Sequence, residues 1–302
     1  MKVVYEPPVE AHLPELYTSH LVYTRRVGTI DQTTQIDYET DGFLVLESLF
    51  TLEQVQAAQT ELEAMTLAEE PNCGLIAFEG TLQDRLPSAP TNPDPTKGAQ
   101  FSLGETRKGM PPLPAIERAP LVRKFMDFTA QHPPLAALAH HPELLSAVEA
   151  LLGEEPRLFQ EMALLKPPQG REKPWHQDHA YFNFPLETKI VGVWLALGEA
   201  YPENGCMFVL AGGHKEGPRA HFMRRDWQLC DSDPLEARHT AVPMHPGEAL
   251  LFDGKLPHGT PRNATEETRW ALQFHYIGKS ALPAEESVRL AAFGGEGKGV
   301  SC

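Results

Sequence analysis

His176 and Asp178, in the run Trp175-His176-Gln177-Asp178-His179, are the residues whose types and spacing best suit chemistry, together with His258 and Arg269 further on. On an extended segment, an imidazole and a carboxylate two residues apart project to the same side. A second imidazole from a distant strand would complete a face of two histidines and one carboxylate. That donor set leaves three adjacent positions open on an octahedral ion, and non-haem Fe(II) oxygenases use it for that reason. Arg269 would serve differently: its guanidinium is a planar fork of donors that can grip a carboxylate through two hydrogen bonds.

A His-x-Asp pair in a chain with 13 histidines is weak evidence by itself, so its surroundings matter. Trp175, Tyr181, Phe182 and Phe184 flank it, and these rings either wall a site off from water or simply pack a core. His258 lies in Leu256-Pro257-His258-Gly259-Thr260, just after a strand expected to end at Phe252-Asp253, where a side chain can point into a barrel mouth. Arg269 opens the next strand. Alternation puts Arg269, Ala271, Gln273 and His275 on one face of it, toward a barrel interior. Trp270, Leu272, Phe274 and Tyr276 fall on the other face, against the scaffold.

The elements that must carry these residues are mostly strands in the C-terminal half. Leu158 to Leu165, Ile190 to Leu197, Cys206 to Leu210, Glu248 to Phe252 and Trp270 to Ile277 are short apolar runs. Turn chemistry such as Pro202-Glu203-Asn204-Gly205 separates them. Glycine at 192 is a small residue inside one run. The N-terminal half supplies helices and a short strand at Gly42 to Leu46. Thr51 and Gln54 have capping-box spacing, and Leu52, Val55, Leu62 and Met65 recur at helical spacing. Pro142 starts a second helix and Gly153 stops it, with Leu144, Leu145, Val148, Leu151 and Leu152 on its apolar side. Prolines from about Pro71 to Pro120, among them Pro87, Pro90, Pro93, Pro95, Pro111, Pro112 and Pro114, predict a long loop region there, either a lid or a surface excursion. The fold expected is mainly β with flanking helices, a double-stranded β-helix of the jelly-roll, cupin-like kind. One domain is expected over residues 1–302, with helical support and the Pro-rich loop at about 40–156 and a metal-binding jelly-roll core at about 157–280.

Bulk composition narrows the classes. The chain has 302 residues, 41% hydrophobic and 22% charged, which suits a globular protein. A formal net charge of −15 argues against a broad nucleic-acid or anionic-membrane surface. The four cysteines, Cys73, Cys206, Cys230 and Cys302, form no CxxC pair, so a reduced, cytoplasmic protein is expected. The N-terminus shows no apolar signal core, no stretch is apolar enough to span a bilayer, and the C-terminal residues are not a Ser-Lys-Leu address. A small-molecule substrate is the expected partner; the composition does not speak to oligomeric state.

The segment from Gln160 to Ile277 resembles the phytanoyl-CoA dioxygenase family of Fe(II)/2-oxoglutarate oxygenases. The resemblance is carried by Met162-Ala163-Leu164-Leu165-Lys166-Pro167-Pro168, Trp175-His176-Gln177-Asp178, Val193-Trp194-Leu195-Ala196-Leu197, Glu203-Asn204-Gly205-Cys206, Gly212-Gly213-His214-Lys215 and His258-Gly259-Thr260 followed by Arg269. It implies that His176, Asp178 and His258 bind Fe(II). It further implies that Arg269 holds the distal carboxylate of the cosubstrate 2-oxoglutarate, helped by the Thr260 hydroxyl where many members have Ser. Lys124, Trp194 and Met162 match residues that contact or line the cosubstrate pocket. Gln177 belongs to the motif but is turned away by strand alternation. Ala211-Gly212-Gly213-His214 departs from the usual Pro-Gly-Ser/Thr-His, which affects a turn only. The activity implied is a dioxygenase reaction in which O2 and 2-oxoglutarate give succinate and CO2 while an unactivated C–H bond is hydroxylated. Halogenases of this kind lose the carboxylate that Asp178 supplies, so its presence favours hydroxylation or another oxidation.

A non-catalytic metal- or ligand-binding jelly roll is the alternative, and a Zn(II) hydrolase a third, for which no general base stands beside the triad. An apolar or CoA-linked substrate is expected, with Trp175, His179, Tyr181, Phe182 and His275 as candidate contacts and His179 and His275 also as donors behind the ligands. Lys215, Arg219, Arg224 and Arg225 form a basic strip that would either receive an anionic group such as CoA phosphates or remain a solvated loop.

Overall fold

The computed structural model describes residues 2–5, 13–19, 21–47, 49–79, 114–231 and 239–294. Strands in the first part of the chain are β1 (Lys2–Tyr5), β2 (Leu21–Val22), β3 (Phe43–Leu46), β4 (Leu75–Phe78) and β5 (Val122–Met126). They are followed by β6 (Pro156–Lys166), β7 (Lys173–His176), β8 (Ile190–Ala196), β9 (Met207–Leu210), β10 (His221–Met223) and β11 (Trp227–Leu229). The last are β12 (His239–Val242), β13 (Ala249–Asp253), β14 (His258–Thr260) and β15 (Arg269–Gly278). The helices are α1 (Gln32–Asp41), α2 (Leu52–Leu67), α3 (Ala115–Arg118), α4 (Pro133–Ala139), α5 (Pro142–Leu152) and α6 (Glu286–Phe293).

One sheet has the order β1-β4-β5-β6-β15-β8-β13-β3, a second the order β2-β12-β9-β14-β7, and β10 pairs with β11. From β6 onward the chain passes repeatedly between the two sheets, the mark of a double-stranded β-helix. Their facing sides share one apolar cluster, with Trp194, Leu250 and Phe252 from the larger sheet and Met207, Phe208 and Val209 from the smaller. The other side of the larger sheet packs on helices. Leu272, Phe274 and Tyr276 of β15 join Val55 and Leu62 of α2, Leu138 of α4 and Leu144 and Val148 of α5. The Tyr276 hydroxyl donates to the Ala139 carbonyl at 2.7 Å across that layer. The two-face division expected for β15 therefore holds, and β15 lies centrally between β6 and β8.

Local signals explain the helix ends. Thr51 and Gln54 form a reciprocal capping box on α2. Pro142 opens α5, and Gly153 closes it in the left-handed conformation. Leu52 departs from expectation: as the first residue of α2 it is 69% exposed, while Val55, Leu62 and Met65 face inward. Helix α1 was not foreseen because it is polar almost throughout and buries only Thr34 and Tyr38, although Asp31 and Thr34 cap it reciprocally. The Pro-rich region is not all loop, since β4 lies within it and extends the larger sheet. Pro87, Pro90, Pro93, Pro95, Pro111 and Pro112 lie outside the described residues. The cysteines also differ from a fully reduced set: Cys73 and Cys206 are free and buried, whereas Cys230 is disulfide-bonded. Among the described residues no helix is long and apolar enough to cross a membrane.

Candidate metal centre

Strand pairing brings the two key histidines together. β14 runs antiparallel to β7 with His258 directly opposite His176. Directly opposed side chains on one face are close enough to share a ligand, and the two imidazole centroids are 4.2 Å apart. His258 thus opens a strand of its own instead of trailing the preceding one. Gly259 next to it sits in a tight space, where a Cβ would lie 3.1 Å from the Lys173 carbonyl and 3.1 Å from the Tyr17 hydroxyl and would need both to shift. Asp178 begins a 3-10 turn, Asp178–Tyr181, after one further extended residue, so the His-x-Asp segment is extended only as far as Gln177.

One nitrogen from each histidine and one oxygen of Asp178 lie within 4.8 Å of one another, and all three residues are buried. Asp178 Oδ1 is 3.2 Å from His176 Nε2 and 3.6 Å from His258 Nε2. The tautomers suit a metal. His176 Nδ1 donates to the Pro174 carbonyl at 2.8 Å, and His258 Nδ1 donates to the Leu256 carbonyl at 2.9 Å. A carbonyl can only accept, so each Nε2 keeps a lone pair for an ion. Burial, with the neighbouring His176 ring, pushes His258 down to about 3. Burial alone would raise the Asp178 carboxyl, yet the neighbouring His258 and His275, with the hydrogen bond from His275, hold it well below its ordinary value.

The interior face of β15 steers Asp178. His275 Nε2 donates to Asp178 Oδ2 at 2.7 Å, and the Gln273 amide donates to the same oxygen at 3.1 Å. Both act on Oδ2, which leaves Oδ1 turned toward the imidazoles. Gly192 lies between His275 and Phe252 in the sheet register. A Cβ there would meet the Phe252 ring at 2.4 Å, and that ring packs 4.8 Å from His258.

Arg269 starts β15 opposite Lys166 of β6. It is buried, its guanidinium lies 5.0 Å from the Trp194 ring centre, and its Nε and Nη1 have no hydrogen-bond partner. Burial depresses its pKa, but a guanidinium stays charged. An unpaired buried charge is costly and calls for an anion. The Thr260 hydroxyl is engaged by a residue that the sequence did not single out for a role. Lys166 Nζ donates to Thr260 Oγ1 at 2.7 Å and also to the Pro261 carbonyl. With Lys166 as the donor to Oγ1, the Thr260 proton is left free for an acceptor elsewhere, although burial, with Arg269 and Arg123, holds this ammonium well below its ordinary pKa. Lys166 appeared in sequence only as part of a matching motif; a lysine ending an apolar strand ordinarily faces water.

The remaining candidates fall into groups. Met162, opposite Gln273, and Lys124, opposite Leu164, lie on strands that flank the interior face. Burial, then Arg123 and Lys173, push Lys124 down to about 7. Tyr181 sets its ring edge-on to His176 at 5.6 Å, and its hydroxyl accepts from Lys173, which is paired with Asp226 at 2.6 Å. Phe182 packs 4.9 Å from His275. His179 sits beside Phe293 and accepts nothing at Nδ1. Trp175 points the other way, stacked on Tyr17 at 5.9 Å with its N–H on the Leu16 carbonyl, because alternation along β7 opposes it to His176. Gln177 also faces away and binds Gly217, Arg219 and Lys255. The basic strip is largely neutralised: Arg219 pairs with Glu216, Arg224 with Asp231, and Arg225 with Glu172 and Asp231.

A jelly roll that carries two histidines, one aspartate and a buried unpaired arginine on its interior defines the framework of a mononuclear iron oxygenase. The chain belongs to the phytanoyl-CoA dioxygenase (PhyH) family, whose pattern matches residues 38–271. It is 26% identical to the peroxisomal phytanoyl-CoA dioxygenase of Bos taurus over 277 residues, covering 87% of this chain and 73% of that protein. It is 28% identical to the Rattus norvegicus enzyme over 252 residues, covering 79% of this chain and 66% of the relative. The chain therefore spans about two thirds of the length of these relatives. Among solved structures, EvdO2 from Micromonospora carbonacea var. aurantiaca complexed with 2-oxoglutarate is similar, at 25% identity and TM-score 0.60, covering 86% of this chain and 94% of that one.

Proposed function

We propose that this protein is an Fe(II)/2-oxoglutarate-dependent dioxygenase that hydroxylates an unactivated C–H bond of a small molecule, with release of succinate and CO2. The observation that carries the reading is the charged, buried and unpartnered fork of Arg269 on the same interior face as the His176–Asp178–His258 group. A zinc hydrolase would leave that arginine without work. Bound iron would supply activation of O2 and the two-electron oxidation, fed by decarboxylation of the 2-oxo acid.

The chain's own residues do the rest. His176, Asp178 and His258 would hold the ion on one side and leave its other side open. Arg269 and the Thr260 hydroxyl would bind the far carboxylate of 2-oxoglutarate, with Lys166 orienting Thr260. Trp194, Met162 and Lys124 would line that pocket, and Trp194 would also support the guanidinium through its ring face. Tyr181, Phe182 and His179 would border the substrate side, while His275 would keep Asp178 oriented. Trp175 would shape the site only through the packing of β7. The ion pairs of the basic strip weigh against CoA phosphates docking there. They favour a compact substrate, partly apolar where it meets Phe182. The compartment we propose is the cytoplasm, which cell fractionation would test against the peroxisome.

The test is direct. Anaerobic addition of Fe(II) and 2-oxoglutarate to the purified protein should produce the weak visible charge-transfer band of a 2-oxo acid chelate, and air should then yield succinate. A protein without the band and without iron-dependent succinate would be a binding protein on a jelly-roll frame.

A further inference from the structure

The turn that carries Asp178 is held from outside by α6, a helix beyond the residues that the family pattern matches. We propose that Arg289 of α6 is a positioning residue for the Asp178 carboxylate and so tunes the affinity of the site for iron. The proposal rests on the oxygenase reading above.

Arg289 is only 4% exposed, and arginine is rarely buried unless its donors are used. Its Nη1 donates to the Ala180 carbonyl at 2.8 Å, its Nε to Asn183 Oδ1 at 2.7 Å, and its Nη2 to Glu286 at 2.6 Å. Ala180 belongs to the same 3-10 turn as Asp178. So short a turn has little internal bonding to fix its own orientation. Partners outside it decide where Asp178 points. One is the Gly254 carbonyl, which accepts from the His179 N–H at 2.8 Å. His275 and Gln273 hold Asp178 Oδ2 from β15, and Lys173 reaches Tyr181; a further set comes from α6. Phe293 is fully buried against Ala180 and Trp227, and its ring lies 5.6 Å from His179 and 5.8 Å from His221. His221 in turn accepts the Gln177 N–H at 3.0 Å. The residues on both sides of Asp178 thus lean on this helix. Apolar packing has no direction, so Phe293 can press on the turn but cannot set its rotation. A planar guanidinium that grips a carbonyl and a side-chain amide of one loop can do so.

The test uses the full chain as wild type, Arg289→Ala, Arg289→Lys and Tyr276→Phe. The last removes a buried hydrogen bond to Ala139 on the helix-packed side of β15, and serves as a destabilised control. The readouts are anaerobic Fe(II) titration, 2-oxoglutarate affinity at saturating iron, and hydrogen exchange of the peptide spanning residues 177–184. Arg289→Ala should raise the Fe(II) Kd by about 10- to 100-fold, the usual cost of losing a group that orients a metal ligand. It should also speed exchange in 177–184, with 2-oxoglutarate affinity changed by less than about threefold. Arg289→Lys, which keeps one donor for Ala180, should recover most of the iron affinity. Tyr276→Phe should melt earlier yet bind iron like wild type. Wild-type iron affinity in Arg289→Ala, or an equal loss in Tyr276→Phe, would overturn the proposal. If Arg289→Ala does not fold, Asn183→Ala, which removes the acceptor of the Arg289 Nε–H, carries the test: it should raise the Fe(II) Kd and speed exchange in 177–184, and an unchanged Kd overturns the proposal. A wild-type chain that binds no Fe(II) sinks the oxygenase reading instead.

Discussion

Replacing Arg269 by leucine separates the two costs that meet at this residue. In the ligand-free protein the guanidinium is buried with Nε and Nη1 unpartnered. Exchanging buried charge for well-packed apolar volume is often neutral or stabilising by about 1–4 kcal/mol. Loss of the contact with the Trp194 ring, 5.0 Å away, takes back about 0.5–2 kcal/mol. The variant should therefore melt at the wild-type temperature or slightly above it. Cosubstrate binding should move the other way. Removing one partner of a buried, hydrogen-bonded charge pair costs about 2–5 kcal/mol. At about 1.4 kcal/mol per factor of ten, that weakens 2-oxoglutarate binding by about 30- to 4000-fold. Fe(II) affinity should stay within about threefold, because Arg269 touches none of the three ligands. Differential scanning fluorimetry with and without 2-oxoglutarate reads both effects, since a ligand stabilises only in proportion to its binding. A variant that melts several degrees lower, yet gains as much from 2-oxoglutarate as wild type, would show that Arg269 is a structural cation and that the pocket lies elsewhere.

Two further outcomes bear on the same site. Lys166→Met should raise the KM for 2-oxoglutarate about tenfold, the worth of one hydrogen bond to a charged group. Combined with Thr260→Val it should cost little more than the worse single change, because both remove one hydrogen-bonded unit; steady-state kinetics that give fully additive losses would break that link. Acid should destabilise the metal-free protein through His221 and His258, which burial pushes down to about 3. Histidines in the unfolded chain titrate near 6.5, so below that pH the unfolded state takes up protons that the folded state refuses. The stability present above pH 6.5 is then lost as pH falls toward 3, by about 2–3 kcal/mol for the pair between pH 7.5 and 5.5. Urea titrations that give the same unfolding free energy at both pH values would refute this.

Much of the metal face was visible in the linear order because strands repeat with period two. That period put Gln273 and His275 on the side of β15 opposite Leu272 and Phe274, which is where they lie. It also turns Trp175 away from His176, a consequence that the aromatic clustering around the motif obscured. Long-range pairing was harder to see. Nothing near Lys166 announces that its ammonium is buried against Thr260, and nothing near Arg225 announces Glu172 as its partner. Such residues look like solvent-facing cations until the sheets close. Helices α1 and α6 were missed for a related reason: α1 buries only Thr34 and Tyr38, and α6 only Arg289 and Phe293, too few to make an apolar stripe.

The direct pairing of His176 with His258 across β7 and β14 has a consequence for biosynthesis. On the ribosome the first imidazole and Asp178 emerge well before the strand that faces them has been made. Until then this site offers a metal only one of its two histidines and its carboxylate, a weak and unselective pair. Tight binding at this group requires the smaller sheet to be closed, so an ion held there would be taken up by a folded chain and would not serve as a nucleus for folding.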